Sequence, residues 1–234
     1  MPPEAWMPGI ERAETGAQGG YKVVNGKMKP TATVYHVMQG YLSTMRLWAA
    51  ERPAHHQSSY HFGVSLTGDI VEFVEIGTPA WHAGRLDQTK PTWSGWVEGK
   101  SVNSHTLSIA AEGFSQRNAW TDAQVESALT LQRWINQETG MVSSEDTIIT
   151  HAMIAPTSRA NDPGPNFPRD LLIKQTSADE PEPPPKLTRP EMMAAFRDLL
   201  VPNNSGRRKA SWLKARSVEG GEEHTMLIKR RRRK

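Results

Sequence analysis

The chain has 234 residues, of which 37% are hydrophobic and 23% charged, and its mean hydropathy is −0.60. This predicts a soluble protein with one domain of ordinary size plus extensions, and no apolar run approaches the ~18 residues of a membrane-spanning helix. The absence of cysteine excludes disulfides and thiolate-bound structural zinc. The formal net charge of +3 combines +9 from residues 186–234 with −6 from residues 1–185, which have 14 Lys and Arg against 20 Asp and Glu. Charge therefore predicts no nucleic-acid-binding cleft on the main body.

Residues 1–30 are predicted to form an irregular N-terminal arm, because they are rich in Gly, Pro and polar residues. Trp6 and Met7 are the side chains that could pin this arm to the domain. The start of the chain lacks the basic segment and apolar core of a secretory signal. We therefore expect that the protein is made in the host cytoplasm and is not exported through a secretory signal peptide.

The first core strand is predicted over about residues 31–38, a β-branched and apolar run that carries His36 near its C-terminal end. Residues 41–52 follow with helical spacing. The apolar stripe of this helix consists of Leu42, Met45, Trp48 and Ala49.

The clearest hairpin runs from Tyr60 to Ser65, turns at Thr67–Asp69 and returns along Ile70–Glu75. A tyrosine at the start of a strand that abuts a metal can donate its hydroxyl to a developing oxyanion. The alternative for Tyr60 is a half-buried aromatic side chain with a solvated tip.

Two aromatic loop segments follow the hairpin. The first is Trp81-His82-Ala83-Gly84, and the second contains Trp93 and Trp96 among polar residues. Exposed tryptophans suit stacking on sugars, because a pyranose presents an apolar C–H face to the ring. The alternative for Trp93 and Trp96 is that they cover the core.

A further strand is predicted at Leu107–Gly113, and a long helix follows it. Thr121 and Gln124 form a capping box at the start of that helix, and Gly140 ends it. The helix has a buried apolar stripe, so we interpret it as scaffold.

The last core strand is predicted at Asp146–His151, an apolar run that His151 closes. Asp162 follows eleven residues later, directly before Pro163-Gly164-Pro165. A strand end and a proline-stiffened loop can hold an imidazole and a carboxylate towards one point, as a zinc site requires. The alternative is that His151 caps a strand and Asp162 starts an ordinary turn.

His36 supplies a third potential ligand. Two histidines at the ends of buried strands and one loop carboxylate make a three-ligand set that leaves one coordination position open. Catalytic zinc sites have this stoichiometry, whereas structural sites fill all four positions. His36, His151 and Asp162 are therefore the candidate zinc ligands.

In its motifs and their order, the chain resembles the zinc-dependent N-acetylmuramoyl-L-alanine amidases of the type-2 group. That group includes many phage endolysins and the peptidoglycan recognition proteins. The resemblance covers roughly residues 30–172. Its motifs are Val34-Tyr35-His36, Ser59-Tyr60-His61-Phe62, Ala80-Trp81-His82-Ala83-Gly84, Asn103–Gly113 and His151–Pro165.

The resemblance implies that His36, His151 and Asp162 bind Zn²⁺ and that Tyr60 assists catalysis. It also implies a substrate groove, whose candidate contacts are Trp81, His82, Trp93 and Asn103.

The sequence departs from the family at two positions. Ala110 stands where many members have a catalytic glutamate, and Glu112, two residues later, does not have an assured reach to the metal. Ala160 stands where the family commonly has a lysine. Arg159 could supply that positive charge over the oxyanion, or it could bind a loop carbonyl.

From residue 176 the composition changes. Residues 176–187 are predicted to be an acidic, proline-rich linker. The C-terminal segment, 188–234, follows it and ends in a basic run. An amphipathic helix is predicted near the start of this segment, over Leu187–Val201. From Lys186 onward there are 14 Lys and Arg against 5 Asp and Glu, a net of +9. Such a tail is either solvated and disordered or binds a polyanion, such as anionic wall polymer or a membrane surface.

The sequence thus predicts an α/β domain at 31–175, with a mixed central sheet flanked by helices and zinc at one edge. The predicted function is a monomeric endolysin, released to the cell wall by another protein, that cleaves the amide between N-acetylmuramic acid and L-alanine. The alternatives are a non-catalytic peptidoglycan-binding module on the same fold, or a nucleic-acid-binding protein that uses the tail. Specific nucleic-acid binding is not expected.

Overall fold

The computed structural model describes residues 6–13, 28–51, 58–84, 91–117, 119–164 and 166–177, and the backbone of two strands near the C-terminus. The chain divides into two compact units, Met1–Glu180 and Pro181–Lys234. Within the described residues, no helix has the length and apolar character needed to cross a membrane.

A six-stranded mixed sheet forms the centre of the first unit. Its strands are β1 (Glu11–Arg12), β2 (Ala32–Val37), β3 (Phe62–Val64), β4 (Ile70–Glu72), β5 (Thr106–Ala111) and β6 (Ile148–Thr150). Their spatial order is β1-β4-β3-β5-β2-β6. Strands β3, β5, β2 and β6 are parallel to one another, whereas β3 and β4 form the predicted antiparallel hairpin. The predicted mixed α/β fold is therefore confirmed.

In the part of the first unit that the structure describes, four α-helices accompany the sheet: α1 (Leu42–Glu51), α2 (Asp122–Thr139), α3 (His151–Ile154) and α4 (Arg169–Thr176). The predicted capping box is present, since Thr121 Oγ1 accepts from Gln124 N and the Gln124 side chain accepts from Thr121 N. At the other end, Gly140 has a φ of 73°, a left-handed conformation that favours glycine.

The two faces of β2 determine where the functional side chains lie. Because side chains alternate along a strand, Tyr35 packs into the cluster formed with α2 and α4, whereas Val34 points to the opposite face. That opposite face is covered by α1 and by the loop that contains Trp93. His36 lies on the same face as Val34 and is fully buried.

The prediction of a wholly irregular N-terminal arm is wrong for part of its length. Strand β1 pairs in parallel with β4 at the edge of the sheet. The suggestion that Met7 anchors the segment is confirmed, because this side chain is buried and its backbone N–H donates to Glu72 Oε2 at 2.9 Å. A two-residue strand among polar residues carries no periodic signal, so the sequence could not indicate it.

The second unit also differs from prediction. Its described part is an antiparallel pair of strands, β7 (Trp212–Glu219) and β8 (Glu222–Lys229). Both strands lie in the segment that the sequence predicts to be a basic tail. The predicted helix at 187–201 and the linker beyond residue 177 lie outside the described residues.

Candidate metal centre

Three elements converge at the C-terminal ends of β2 and β6. These strands are parallel, with Tyr35 opposite Thr150, so the next residue on each, His36 and His151, lies at the same level. His151 was predicted to close a strand, but it is the first residue of the short helix α3. Asp162 approaches from the loop after α3, where Ala152 N–H donates to the Asp162 carbonyl at 2.9 Å.

The three side chains present one atom each to a common point. His36 Nδ1 lies 3.1 Å from His151 Nδ1, and Asp162 Oδ2 lies 2.9 Å from His151 Nδ1 and 3.6 Å from His36 Nδ1. Atoms bound to a tetrahedral zinc ion at ~2.0–2.1 Å stand roughly 3.3 Å apart. The observed triangle has these dimensions, and among the described residues these three side chains form a group able to hold a metal ion.

The outward-facing atoms of the three groups also have partners. Asp162 Oδ1 accepts from Val37 N at 2.8 Å, and His151 Nε2 lies 3.1 Å from the Ala83 carbonyl oxygen. His36 Nε2 lies 3.2 Å from His82 Nδ1. Metal-binding histidines and carboxylates are characteristically oriented by such contacts, so these partners help to hold the triangle in place.

The protonation of the group suits a cation. Burial lowers the pKa of His36 to about 4, although the neighbouring Asp162 carboxylate acts in the opposite direction. Burial also acts to raise the pKa of Asp162, but the neighbouring His151 and His36 side chains outweigh it and hold that pKa well below its usual value. At neutral pH His36 is therefore neutral and Asp162 ionised, the states in which these side chains bind metal.

The loop that carries Asp162 is fixed by a close backbone approach. Gly164 has a φ of 103°, and a Cβ there would come within 3.1 Å of the Ser115 carbonyl oxygen. A side chain at this position would be strained and would also press on backbone. The glycine of the Asp-Pro-Gly-Pro motif thus lets the loop lie against the segment after β5.

The two predicted catalytic residues lie in different settings. The Tyr60 ring is half-buried, with its centroid 5.1 Å from that of His36 in an edge-on arrangement. Arg159 is exposed, and its positive charge contributes to the lowered pKa of His36. Tyr60 is therefore in contact with a candidate ligand, whereas Arg159 acts on the centre through its charge.

The four predicted substrate contacts differ in their exposure to solvent. Trp81 is 41% exposed, as a groove residue should be. Trp93, His82 and Asn103 are buried, at 4%, 4% and 6% exposure, which does not support a place on an open groove surface. The indole N–H of Trp93 donates to the Asp146 carbonyl and its ring stacks on His105, so the core-covering alternative is the correct one.

The structure also shows what lies around Ala110, one of the two positions at which the sequence departs from the family. Ala110 on β5 pairs with His36 on β2, so no carboxylate projects from that position. Glu112 does not replace it, because Glu112 Oε2 accepts from Leu66 N at the turn of the hairpin. Sequence reasoning also missed Val37 N–H and the Ala83 carbonyl, since backbone groups carry no residue-type signal.

Comparisons with known proteins agree with this fold. The family model described as N-acetylmuramoyl-L-alanine amidase matches residues 26–165. The chain is 31% identical over 114 residues to 1,6-anhydro-N-acetylmuramyl-L-alanine amidase AmpD of Salmonella typhimurium strain SL1344, and 30% identical over 114 residues to AmpD of Citrobacter freundii. Each match covers 49% of this chain and 54% of the relative, so the chain spans about half the length of the curated relatives it matches.

Solved structures with the same fold include a selenomethionine derivative of AmpD. It has a TM-score of 0.56 at 20% identity, over 76% of this chain and 99% of that one. The catalytic domain of PlyG has a TM-score of 0.51 at 13% identity, over 74% of this chain and 98% of that one. At these identities the likeness concerns the fold alone.

Proposed function

The chain belongs to the N-acetylmuramoyl-L-alanine amidase family, and on this premise we propose that it hydrolyses the amide between N-acetylmuramic acid and L-alanine in peptidoglycan. The observation that carries the proposal is the triangle of His36 Nδ1, His151 Nδ1 and Asp162 Oδ2, with edges of 2.9–3.6 Å. Two imidazoles and one carboxylate are the donor set of a catalytic zinc site with an open position.

Zinc is the proposed cofactor. When bound at this triangle, it would lower the pKa of a water molecule towards ~7 and polarise the scissile carbonyl. The protein contributes the geometry: the hydrogen bond from Val37 N to Asp162 Oδ1 leaves Oδ2 free for the ion. The position opposite His36 on β5 is Ala110, whose side chain cannot transfer a proton.

Tyr60 is the proposed oxyanion donor. Its ring packs edge-on against the His36 ring at 5.1 Å, which places the phenol beside the ligand set. A hydroxyl there can donate to the oxygen that gains negative charge during attack on the amide. Arg159 would add positive charge from the exposed side, and Trp81 would contact the glycan or peptide from its 41% exposed position.

Release of dye from labelled, purified peptidoglycan tests metal-dependent hydrolysis. We expect release by the full chain, its loss after treatment with a chelator, and its return on addition of Zn²⁺. The reason is that an activated water is needed for attack on an unactivated amide. Mg²⁺, which prefers six oxygen ligands, serves as the control ion and should not restore release. Release that is insensitive to chelator would contradict the proposal, and wall binding without release would favour a recognition module.

We further propose that the basic C-terminal segment binds anionic wall polymer, which places the protein on its substrate in the manner of an endolysin. Residues 203–234 contain 11 Lys and Arg against 3 Asp and Glu. An excess of cations attracts a polyanion in a salt-dependent manner.

Removal of residues 203–234 should weaken binding to purified walls roughly tenfold at low salt and should flatten its salt dependence. A full-length variant with Gln at each of positions 229–234 separates charge from chain length. Sedimentation with walls over a range of salt concentrations is the measurement, and zinc content is the control for an intact metal centre. Unchanged, salt-independent binding by both variants would refute a role for the basic segment.

A further inference from the structure

We propose that His82 and Asn103 are positioning residues: His82 determines which ring nitrogen of His36 is free to bind metal, and Asn103 holds the peptide segment that orients both ligand histidines. This inference rests on the metal centre of the proposed function. It assigns to these residues a role different from the substrate contact expected from the sequence.

The hydrogen-bond chain starts at Thr106. His82 Nε2 lies 3.3 Å from the Thr106 carbonyl oxygen and 3.2 Å from Thr106 Oγ1. The Thr106 hydroxyl donates its proton to the Val102 carbonyl at 2.8 Å, so both Thr106 oxygens can only accept from His82. His82 Nε2 must therefore carry the proton, which leaves His82 Nδ1 as an acceptor.

The same reasoning extends to His36. His82 Nδ1, an acceptor, faces His36 Nε2 at 3.2 Å, so His36 Nε2 carries the proton and donates it. The lone pair of His36 Nδ1 is then unprotonated and points to His151 Nδ1 and Asp162 Oδ2. In this way a backbone carbonyl on β5 sets, through two imidazoles, the tautomer that a metal ion requires.

The second ligand histidine is oriented by the neighbouring residue. His151 Nε2 faces the Ala83 carbonyl at 3.1 Å, and a carbonyl only accepts, so the proton lies on Nε2 and His151 Nδ1 is directed to the ion. Residues 82 and 83 thus serve one ligand each, one through a side chain and the other through the backbone.

Asn103 fixes these two residues together. Its Oδ1 atom accepts from His82 N at 3.2 Å and from Ala83 N at 2.8 Å. Asn103 itself lies in a short 3₁₀ turn, Val102–Ser104, directly before β5. One buried oxygen therefore holds the backbone of the two residues that contact the ligand histidines. Removal of residues that orient ligands typically costs 10–100-fold in metal affinity.

The test measures zinc affinity of the full chain by competition with a chromophoric chelator, in the absence of wall substrate. His82→Phe, which keeps a ring but has no acceptor, should bind zinc 10–100-fold more weakly. His82→Gln, which retains one acceptor and one donor, should recover part of that loss. Asn103→Leu should also weaken binding.

The matched control is His105→Phe. His105 is equally buried, but its Nδ1 atom bonds to the Ser101 carbonyl and its ring stacks on Trp93. His105→Phe should bind zinc as tightly as the wild type does. An equal loss of zinc affinity in His82→Phe and His105→Phe would indicate a general loss of packing and would contradict the proposal. Equal affinity of His82→Phe and the wild type would overturn the proposal.

A second measurement does not depend on any variant folding. Nitrogen-15 NMR of the histidine rings in the wild-type chain should show His82 as the Nε2–H tautomer. A His82 ring protonated at Nδ1 would overturn the assignment. Neither measurement depends on hydrolysis. A protein that binds zinc but does not cleave the wall would refute the proposed function, and these two measurements would still decide the roles of His82 and Asn103.

Discussion

Asp162→Asn is expected to reduce zinc affinity by more than about 100-fold, beyond the range for residues that only orient ligands, and to reduce wall hydrolysis to background. The substitution keeps the shape of the side chain, and the amide oxygen can still accept from Val37 N, as Asp162 Oδ1 does at 2.8 Å. The negative charge that balances the cation is lost. Two imidazoles then remain, a donor set without the anionic ligand of the His₂-carboxylate sites.

Zinc content after dialysis and dye release from peptidoglycan are the two readouts. Asp170→Asn is the matched control, because Asp170 is exposed in the first turn of α4 and has no part in the centre. The control should retain both zinc and activity. An Asp162→Asn variant that holds zinc and releases dye at the wild-type rate would show that Asp162 is not a ligand.

Tyr60→Phe is expected to lower kcat by about 10²–10³-fold, the range for removal of one oxyanion donor, with zinc affinity unchanged. Phenylalanine preserves the edge-on packing against His36, so only the hydroxyl is removed. The effect should be large here because β5 presents Ala110 rather than a carboxylate beside His36. A substitution that removes an interaction made only in the transition state lowers kcat and kcat/KM equally.

Kinetics on a soluble muramoyl-peptide substrate, combined with zinc titration, separate the possible outcomes. Tyr41→Phe is the control, since Tyr41 is 56% exposed and its ring contacts Phe114 rather than the ligand histidines. Full activity of Tyr60→Phe would remove Tyr60 from the mechanism. Loss of zinc in this variant would instead indicate a structural role for the hydroxyl.

The grouping of the three candidate metal ligands could be predicted from the sequence because each residue has a strong local signal. His36 ends a β-branched run, His151 follows another, and Asp162 precedes a proline-glycine-proline turn. Parallel neighbouring strands bring their C-terminal ends to one edge of a sheet, so strand-end histidines meet there. The error of placing His151 in the strand rather than at the start of α3 did not matter, because the residue directly after β6 lies at the same edge.

The surroundings of the ligands could not be predicted in the same way. The burial of His82, Trp93 and Asn103 depends on how the segment at 91–105 packs over the sheet, and this is a long-range arrangement without a local pattern. Trp93, for example, reaches Asp146, 53 residues away. The contacts of Val37 N and the Ala83 carbonyl involve backbone atoms, which every residue type possesses. Strand β1 is too short to show a period.

The measurement that tests the central claim most directly is the chemical identity of the bond cleaved. Purified peptidoglycan digested by the zinc-loaded full chain should yield new amino-terminal L-alanine, and mass spectrometry should find stem peptides separated from intact glycan strands. This is the product of hydrolysis at the amide next to N-acetylmuramic acid. New reducing sugar ends, or new termini at other residues of the stem peptide, would contradict the account.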